Sequence, residues 1–291
     1  MRKASVAVMN NCKRSKVCQI LGIPRSTFYY RLNHSPKQGF TDEEEKAVIV
    51  KFRKHFGNFG RRVLHRELLK DGWNVSERQI SKIMKKNELV SRYGRPKAKN
   101  IHTHPEQSER FVFDNIYWNL PENQRPTKVW SMDFTEQKVD GKKVYSCGII
   151  SINDAVLVGM KSGVRNNAES ACDTLKEAIN RFGVPDMILT DRGSPFVSKS
   201  FNETLKEYDI EHSMSRPHTP RDNRYIETFW KTMKTEIGQV MKFSIEEYLM
   251  VVGYYWHYYN HIRPHSRLNY TPPLVAVANK LLVQSPAASS L

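Results

Sequence analysis

The sequence predicts an α/β protein: a mixed sheet with helices packed on it, preceded by an all-α basic region. Three observations lead there. Residues 1–110 hold 25 Lys plus Arg against 10 Asp plus Glu, whereas residues 111–291 hold 21 against 20, so the net charge of +16 sits almost entirely at one end. Apolar residues recur at helical spacing through that basic end, and the pattern changes at Val129 to strand-like runs separated by turn residues. From Ala168 onward helical and strand patterns alternate, the grammar of helices packed on a sheet.

The basic end begins with RSKVCQILGIPRSTFYYRLNH, residues 14–34, where Val17, Ile20 and Leu21 make a helical stripe that breaks at Gly22. Pro24 suits the start of a second short helix. Arg25 and Arg31 would project from it toward base edges and phosphates, so residues 1–38 read as a helix-turn-helix segment, with a plain helical hairpin as the alternative. Residues 39–92 read as a second helical DNA-binding domain. Asp42 to Glu45 favour the positive end of a helix dipole. Ala47, Ile49, Val50, Phe52 and Phe56 mark the first of its three helices, Val63, Leu64 and Leu68 the second, and Ile80, Ile83, Met84 and Leu89 the third. Ser76 with Gln79 forms a capping box. Arg78, Lys82, Lys85 and Lys86 crowd the outer side of the third helix, where a polyanion would bind.

Residues 93–124 read as a linker, aperiodic and polar at its start, with His102 and His104 as solvated histidines rather than metal ligands. A mixed sheet with helices packed on it is expected next. VWSMDFTEQKV, GKKVYSCGIISIND and DAVLVGMKSG form a meander of hairpins turning at Asp140-Gly141 and Asn153-Asp154. A helix over 168–182, a strand at 187–189, a helix over about 198–208 and a strand at 211–215 follow. The helix over 223–238 carries Glu227, Lys231 and Lys234 on one face, the lysines about 40° and 20° from the glutamate, beside an apolar stripe of Ile226, Trp230, Met233 and Ile237. Alone it reads as an amphipathic surface helix with one favourable Glu-to-Lys pair. Residues 241–291 hold a last helix capped by Ser244, then Asn260, Arg263, Pro264 and His265.

Composition excludes several classes. With 39% hydrophobic residues the chain can build a core, it has no run of 18 apolar residues, and its N-terminus is not a convincing signal peptide. Cys12, Cys18, Cys147 and Cys172 lack metal-binding spacing and fit a reducing compartment, so a soluble intracellular protein is expected.

Two aspartates are hard to justify structurally: Asp133 within an apolar strand and Asp191 at the end of another. Fifty-seven residues separate Asp133 from Asp191, and 35 separate Asp191 from Glu227, so acids arrive from a strand, a later strand end and a helix. Three carboxylates without nearby His or Cys suit Mg²⁺ or Mn²⁺. Glu136, Asp154 and Asp222 are the competing acids; Glu136 would face away from Asp133, and Asp222 would cap the helix or hold its loop.

VWSMDFTE, LTDRGSPF and DNRYIETFWKTMKTE, with YNHIRPHSRLNYTPP near the end, resemble the acidic motifs of insertion-sequence transposases with a retroviral-integrase-like core, and in particular the OrfB protein of insertion-sequence family three. His218 and Arg224 stand where that family commonly has a glycine and a small residue. The resemblance implies a ribonuclease-H-like catalytic core over residues 125–240 in which Asp133, Asp191 and Glu227 hold two Mg²⁺ or Mn²⁺ ions. It implies cleavage at the element's ends and transfer of the freed 3′-OH into target DNA, with Lys231 and Lys234 gripping phosphates. Asn223 is a further DNA-contact candidate, and Arg263 and His265 either contact DNA or pin the tail against the core. The implied partners are terminal inverted repeats and target DNA, further copies of the chain in a synaptic complex, and an upstream-frame protein or fusion. The implied location is the bacterial cytoplasm and nucleoid. A non-catalytic DNA-binding regulator, a decayed copy and a nuclease are the competing readings.

Overall fold

The computed structural model describes residues 24, 26, 39–91, 112–217, 219–238 and 243–284. The expected helix-turn-helix with Arg25 and Arg31, the pair His102 and His104, and His218 therefore lie outside the described residues. The chain divides into two compact units, residues 1–47 and 48–291. In the first, helix α1 (Asp42–Lys54) opens with four acids. Thr41 and Glu44 cap it reciprocally: the Glu44 N–H donates to Thr41 Oγ1 at 3.2 Å, and the Thr41 N–H donates to Glu44 Oε2 at 2.7 Å.

The second unit takes in the end of α1, then α2 (Arg61–Lys70) and α3 (Glu77–Lys86), the latter with the capping box at Ser76 and Gln79 in place. The inward residues of α1 are Val48 and Phe52; Val50, expected inside, is 66% exposed. Two further residues after Val48, the chain has turned about 200° and Val50 faces the opposite side. Leu64, Leu68, Ile80 and Ile83 are buried as their spacing requires.

A linker over 93–124 is expected, yet its last part is structured: α4 (Ile116–Asn119) and a 3₁₀ turn at Glu122–Gln124. Tyr117 is buried, and the Asn115 side chain caps α4 by accepting from the Trp118 N–H. These aromatic anchors tie the segment to the sheet domain.

Strands β1 (Val129–Val139), β2 (Lys142–Ser151) and β3 (Leu157–Gly163) form an antiparallel meander; β4 (Met187–Thr190) and β5 (Glu211–Met214) run parallel to β1. The order is β3-β2-β1-β4-β5, a mixed sheet of the predicted class. Helices α5 (Ala168–Phe182) and α6 (Lys199–Glu207) cover one face, where Trp130, Met132, Ile149 and Ile188 are buried with Leu175 and Phe201. Helices α7 (Arg224–Ile237) and α8 (Ile245–His257) cover the other, burying Ile226, Trp230, Met233, Tyr248 and Tyr255. Strand alternation sends Ser131 and Asp133 to this second face, away from Trp130 and Met132.

The tail expected as a separate segment over 241–291 is built into the same unit. Asn260, on the π-helical turn Tyr258–Ile262, closes both backbone groups of Leu157 on edge strand β3: its Oδ1 accepts from the Leu157 N–H at 3.0 Å, and its Nδ2 donates to the Leu157 carbonyl at 2.9 Å. The helical region joins it too, with Asn58 Nδ2 donating to the Glu236 carbonyl and Lys70 Nζ to the Tyr270 carbonyl. Helix α9 (Pro273–Gln284) ends the described chain. None of the described helices is long and apolar enough to cross a membrane.

Candidate active site

Asp133 stands in the middle of β1, opposite Gly148 on β2. Asp191 follows directly after β4, whose neighbour in the sheet is β1. Glu227 lies in the first turn of α7. Asp133 is half-buried, while Asp191 and Glu227 are exposed, so the three acids sit at a surface that a large substrate can reach.

Electrostatics ties them together. Burial raises the Asp133 pKa well above the ordinary carboxylate value, and the charges of Asp191 and Glu227 raise it further. A hydrogen bond from the Phe134 backbone opposes this, as does the Trp230 indole N–H. That indole N–H is buried without a partner at normal hydrogen-bond geometry, so its help to Asp133 is weak. Burial also raises Asp191, against a 2.8 Å bond from the Gly193 N–H to its Oδ1. Asp191 is the more exposed of the two, and solvent offsets part of that rise. Among the described residues no three His, Cys, Asp or Glu side chains form a ready-made metal site, so proximity here means mutual repulsion rather than a closed ligand set.

The competing acids are all engaged with cations. Glu136 pairs with Lys143 at 3.1 Å, Asp154 with Lys280 at 3.0 Å, and Asp222 with Arg216 at 2.9 Å. Among the described residues neither Asp133 nor Asp191 has an ion-pair partner. Asp222 holds the loop ahead of α7, one of the two roles expected of it. Its Oδ2 accepts from the Arg216 N–H, Arg216 Nε and Asn115 Nδ2, and its carbonyl from Trp118 Nε1. Burial would raise its pKa, but the Arg216 bonds and charge outweigh that and lower it. The start of α7, and with it Glu227, is fixed by this network. The role of Asn115 and Trp118 was not legible, since each lies more than a hundred residues from Asp222.

Gly148 is a second unforeseen part. A side chain there would run into the Trp230 ring, so the glycine lets α7 lie directly on β2 beside Asp133.

The basic candidates separate by position. Lys231 is exposed on α7. Lys234 is half-buried and donates to the Glu136 carbonyl at 3.2 Å; burial lowers its pKa against the attraction of Asp133. Arg78, Lys82, Lys85 and Lys86 are exposed on α3, where a phosphate backbone could reach them. Three other candidates face inward instead. Asn223 is buried and its Oδ1 accepts from Ser131 Oγ at 2.5 Å. Arg263 is ion-paired with the fully buried Glu236 at 2.9 Å, and Glu236 also accepts from Tyr255. Burial pushes the His265 pKa down to about 4 and leaves its Nδ1 without a hydrogen-bond partner. Asn223 and Arg263 are thus engaged with other residues of the chain, Arg263 in the way a pin for the tail requires, whereas His265 keeps an unpartnered ring nitrogen.

Residues 123–220 match the integrase core domain family, residues 208–273 match a second integrase core domain family, and residues 40–97 match an HTH-like domain. The last coincides with the second helical region. InsK, from insertion sequence element IS150 of Escherichia coli K12, is 27% identical over 261 residues, covering 87% of this chain and 89% of its own length. The transposase InsF for insertion sequence IS3A of the same organism is 26% identical over 261 residues, covering 86% and 88%. Among solved structures, the HTLV-2 integrase catalytic core domain in complex with magnesium matches at 17% identity with a TM-score of 0.42, covering 52% of this chain and 96% of that one.

Proposed function

We infer that this chain is a DNA transposase with an integrase-type core, a relative of the insertion-sequence transposases, and that Asp133, Asp191 and Glu227 are its catalytic acids. The observation that carries the assignment is electrostatic: the charges of Asp191 and Glu227 both raise the pKa of Asp133, while each competing acid is already paired with a cation.

The donor set fits a divalent cation, because these are oxygen ligands whose crowded negative charge calls for a counter-charge. Asp133, Asp191 and Glu227 would hold Mg²⁺ or Mn²⁺. Two such ions, when bound, activate an attacking oxygen on one side of a phosphate and stabilise the leaving oxygen on the other.

The chain's own residues prepare that chemistry. The Gly193 N–H fixes one oxygen of Asp191 and leaves the other for a ligand. The Asp222 network sets where α7 begins and so aims Glu227. Lys231 meets phosphates along the helix, positioning DNA without reading its bases. Lys234, held between Glu136 and Asp133, adds positive charge close to the acids. The exposed cations of α3 extend the grip on the duplex.

The substrates on this reading are the terminal inverted repeats and a target duplex. Two ends must be brought together, which calls for more than one copy of the chain, with an upstream-frame protein or fusion as a further partner. The setting is the bacterial cytoplasm and nucleoid. The test incubates purified chain with Mg²⁺ or Mn²⁺ and labelled DNA carrying the inverted-repeat ends. Joined products support a transposase, cut products alone a nuclease, and binding without products a regulator.

A further inference from the structure

A cavity of about 240 Å³ lies on the flank of α7, around the helix from Glu227. Its walls are apolar and aromatic, including Ile152, Phe229 and Tyr259. Arg224 and Arg267 also line it, and no carboxylate does. Both arginines are held in place by groups that leave their charge intact. The Arg224 guanidinium lies 4.8 Å from the Trp118 ring and 5.1 Å from the Tyr225 ring, two rings that are parallel within 4°. Arg267 donates to the carbonyls of Ile152 and Asn153 at 2.7 and 2.9 Å. Arg263 lines the same cavity, but its charge is matched by Glu236. His265 completes the lining, and its buried Nδ1 lacks a partner.

We propose that this cavity is a nucleotide pocket that takes one base of bound DNA out of the stack, with the adjoining phosphate on Arg224 and Arg267. A flat apolar body flanked by a negative charge matches aromatic walls beside two fixed cations. The edge of a base supplies the polar atom that His265 Nδ1 lacks. The volume suits one ring system rather than a large ligand. Position favours DNA over a free nucleotide. At about 100° per residue, Lys231 projects between Glu227 and Thr228, about 40° from the first and about 60° from the second. A strand tracked by Lys231 therefore passes between the acids and the pocket, which Thr228 and Thr232 also line.

The proposal rests on the transposase reading. Its test uses the full chain and a duplex of the inverted-repeat end in which 2-aminopurine replaces one base at a time. Unstacking raises the fluorescence of this base. One position near the end is expected to rise several-fold with wild-type protein and to return to the duplex level with Thr232→Trp, which fills the cavity. Arg224→Gln should reduce the rise, and the melting temperature of both variants confirms folding. A flat signal at every position, or a full rise with folded Thr232→Trp, overturns the pocket. Titration with deoxyadenosine monophosphate separates the sources: saturable binding that Arg224→Gln abolishes, with no fluorescence rise on DNA, assigns the cavity to free nucleotides and overturns its role on DNA. Metal-dependent cleavage of the same duplex is read in parallel. Cleavage without a fluorescence rise overturns the pocket alone, whereas neither end binding nor cleavage overturns the transposase reading and the pocket with it.

Discussion

Gly148 and Trp230 touch. A Cβ on Gly148 would lie 2.6 Å from Cη2 of the indole and 2.7 Å from Cζ2, so α7 rests on β2 with no side chain between them. Gly148 is also the cross-strand neighbour of Asp133. Helix α7 and strand β1 are thus brought together at the residue opposite Asp133. Gly148→Ala should cost about 1–3 kcal/mol in urea unfolding, the usual range for overpacking a core. It should reduce cleavage by more than that loss explains, because α7 carries Glu227. Trp230→Phe in the same chain should restore part of the stability.

The acids predict a pH dependence with a definite sign. Asp133 has a raised folded pKa, so above its unfolded value of about 3.9 the native state binds more protons than the unfolded chain. Its contribution to stability therefore falls as pH rises through that window. Three histidines act oppositely: His55 is lowered to about 3, and His212 and His265 to about 4, chiefly by burial, so stability present above 6.5 is lost as pH falls toward those values. Comparing wild type with Asp133→Asn at each pH cancels the histidines. In EDTA the variant should melt higher than wild type at pH 7, with the gap closing toward pH 4. Mg²⁺ should raise the melting temperature of wild type at pH 7 and leave the variant nearly unchanged.

Arg263 should behave as a structural cation. Its side chain is 12% exposed and that of its partner Glu236 is 0%. Arg263→Ala leaves a carboxylate buried without its cation and should cost about 3–5 kcal/mol, whereas Arg263→Met with Glu236→Leu should recover most of it. Denaturant unfolding measures both. The salt dependence of DNA binding, read on folded Arg263→Ala protein below its melting temperature, should match wild type.

The two lysines of α7 should divide. Lys231→Glu should weaken end binding about uniformly across sequences, and Lys231→Ala should lower the slope of log affinity against log salt by about 1. Lys234→Met should lower cleavage more than binding, because its ammonium sits against Glu136 and near Asp133. Mg²⁺ titration by calorimetry should give unchanged affinity in Lys231→Ala.

Much of this was written in local pattern. The meander over 129–163, the helix 168–182, and the α7 stripe of Ile226, Trp230, Met233 and Ile237 follow from periods of 2 and 3.6, and they carry Asp133 and Glu227 with them. What escaped depends on partners distant in the chain. Arg263 reads equally as a DNA contact or a pin for the tail until Glu236 is seen buried beneath it, 27 residues earlier. Asn223 looks like a DNA contact until Ser131 meets it across 92 residues. Tyr117 gave no periodic signal because α4 is a single turn anchored by Asp222. The choice of Val48 over Val50 turns on helix phase, which a run of apolar residues leaves ambiguous.

Strand transfer with Asp133→Asn and Glu227→Gln tests the role of the three acids. Each variant, folded by circular dichroism and bound to inverted-repeat DNA, is incubated with Mg²⁺ or Mn²⁺ and a target duplex. Neither should yield cleaved or joined product, whereas wild type should yield both. Metal-dependent joining by either variant would contradict that role.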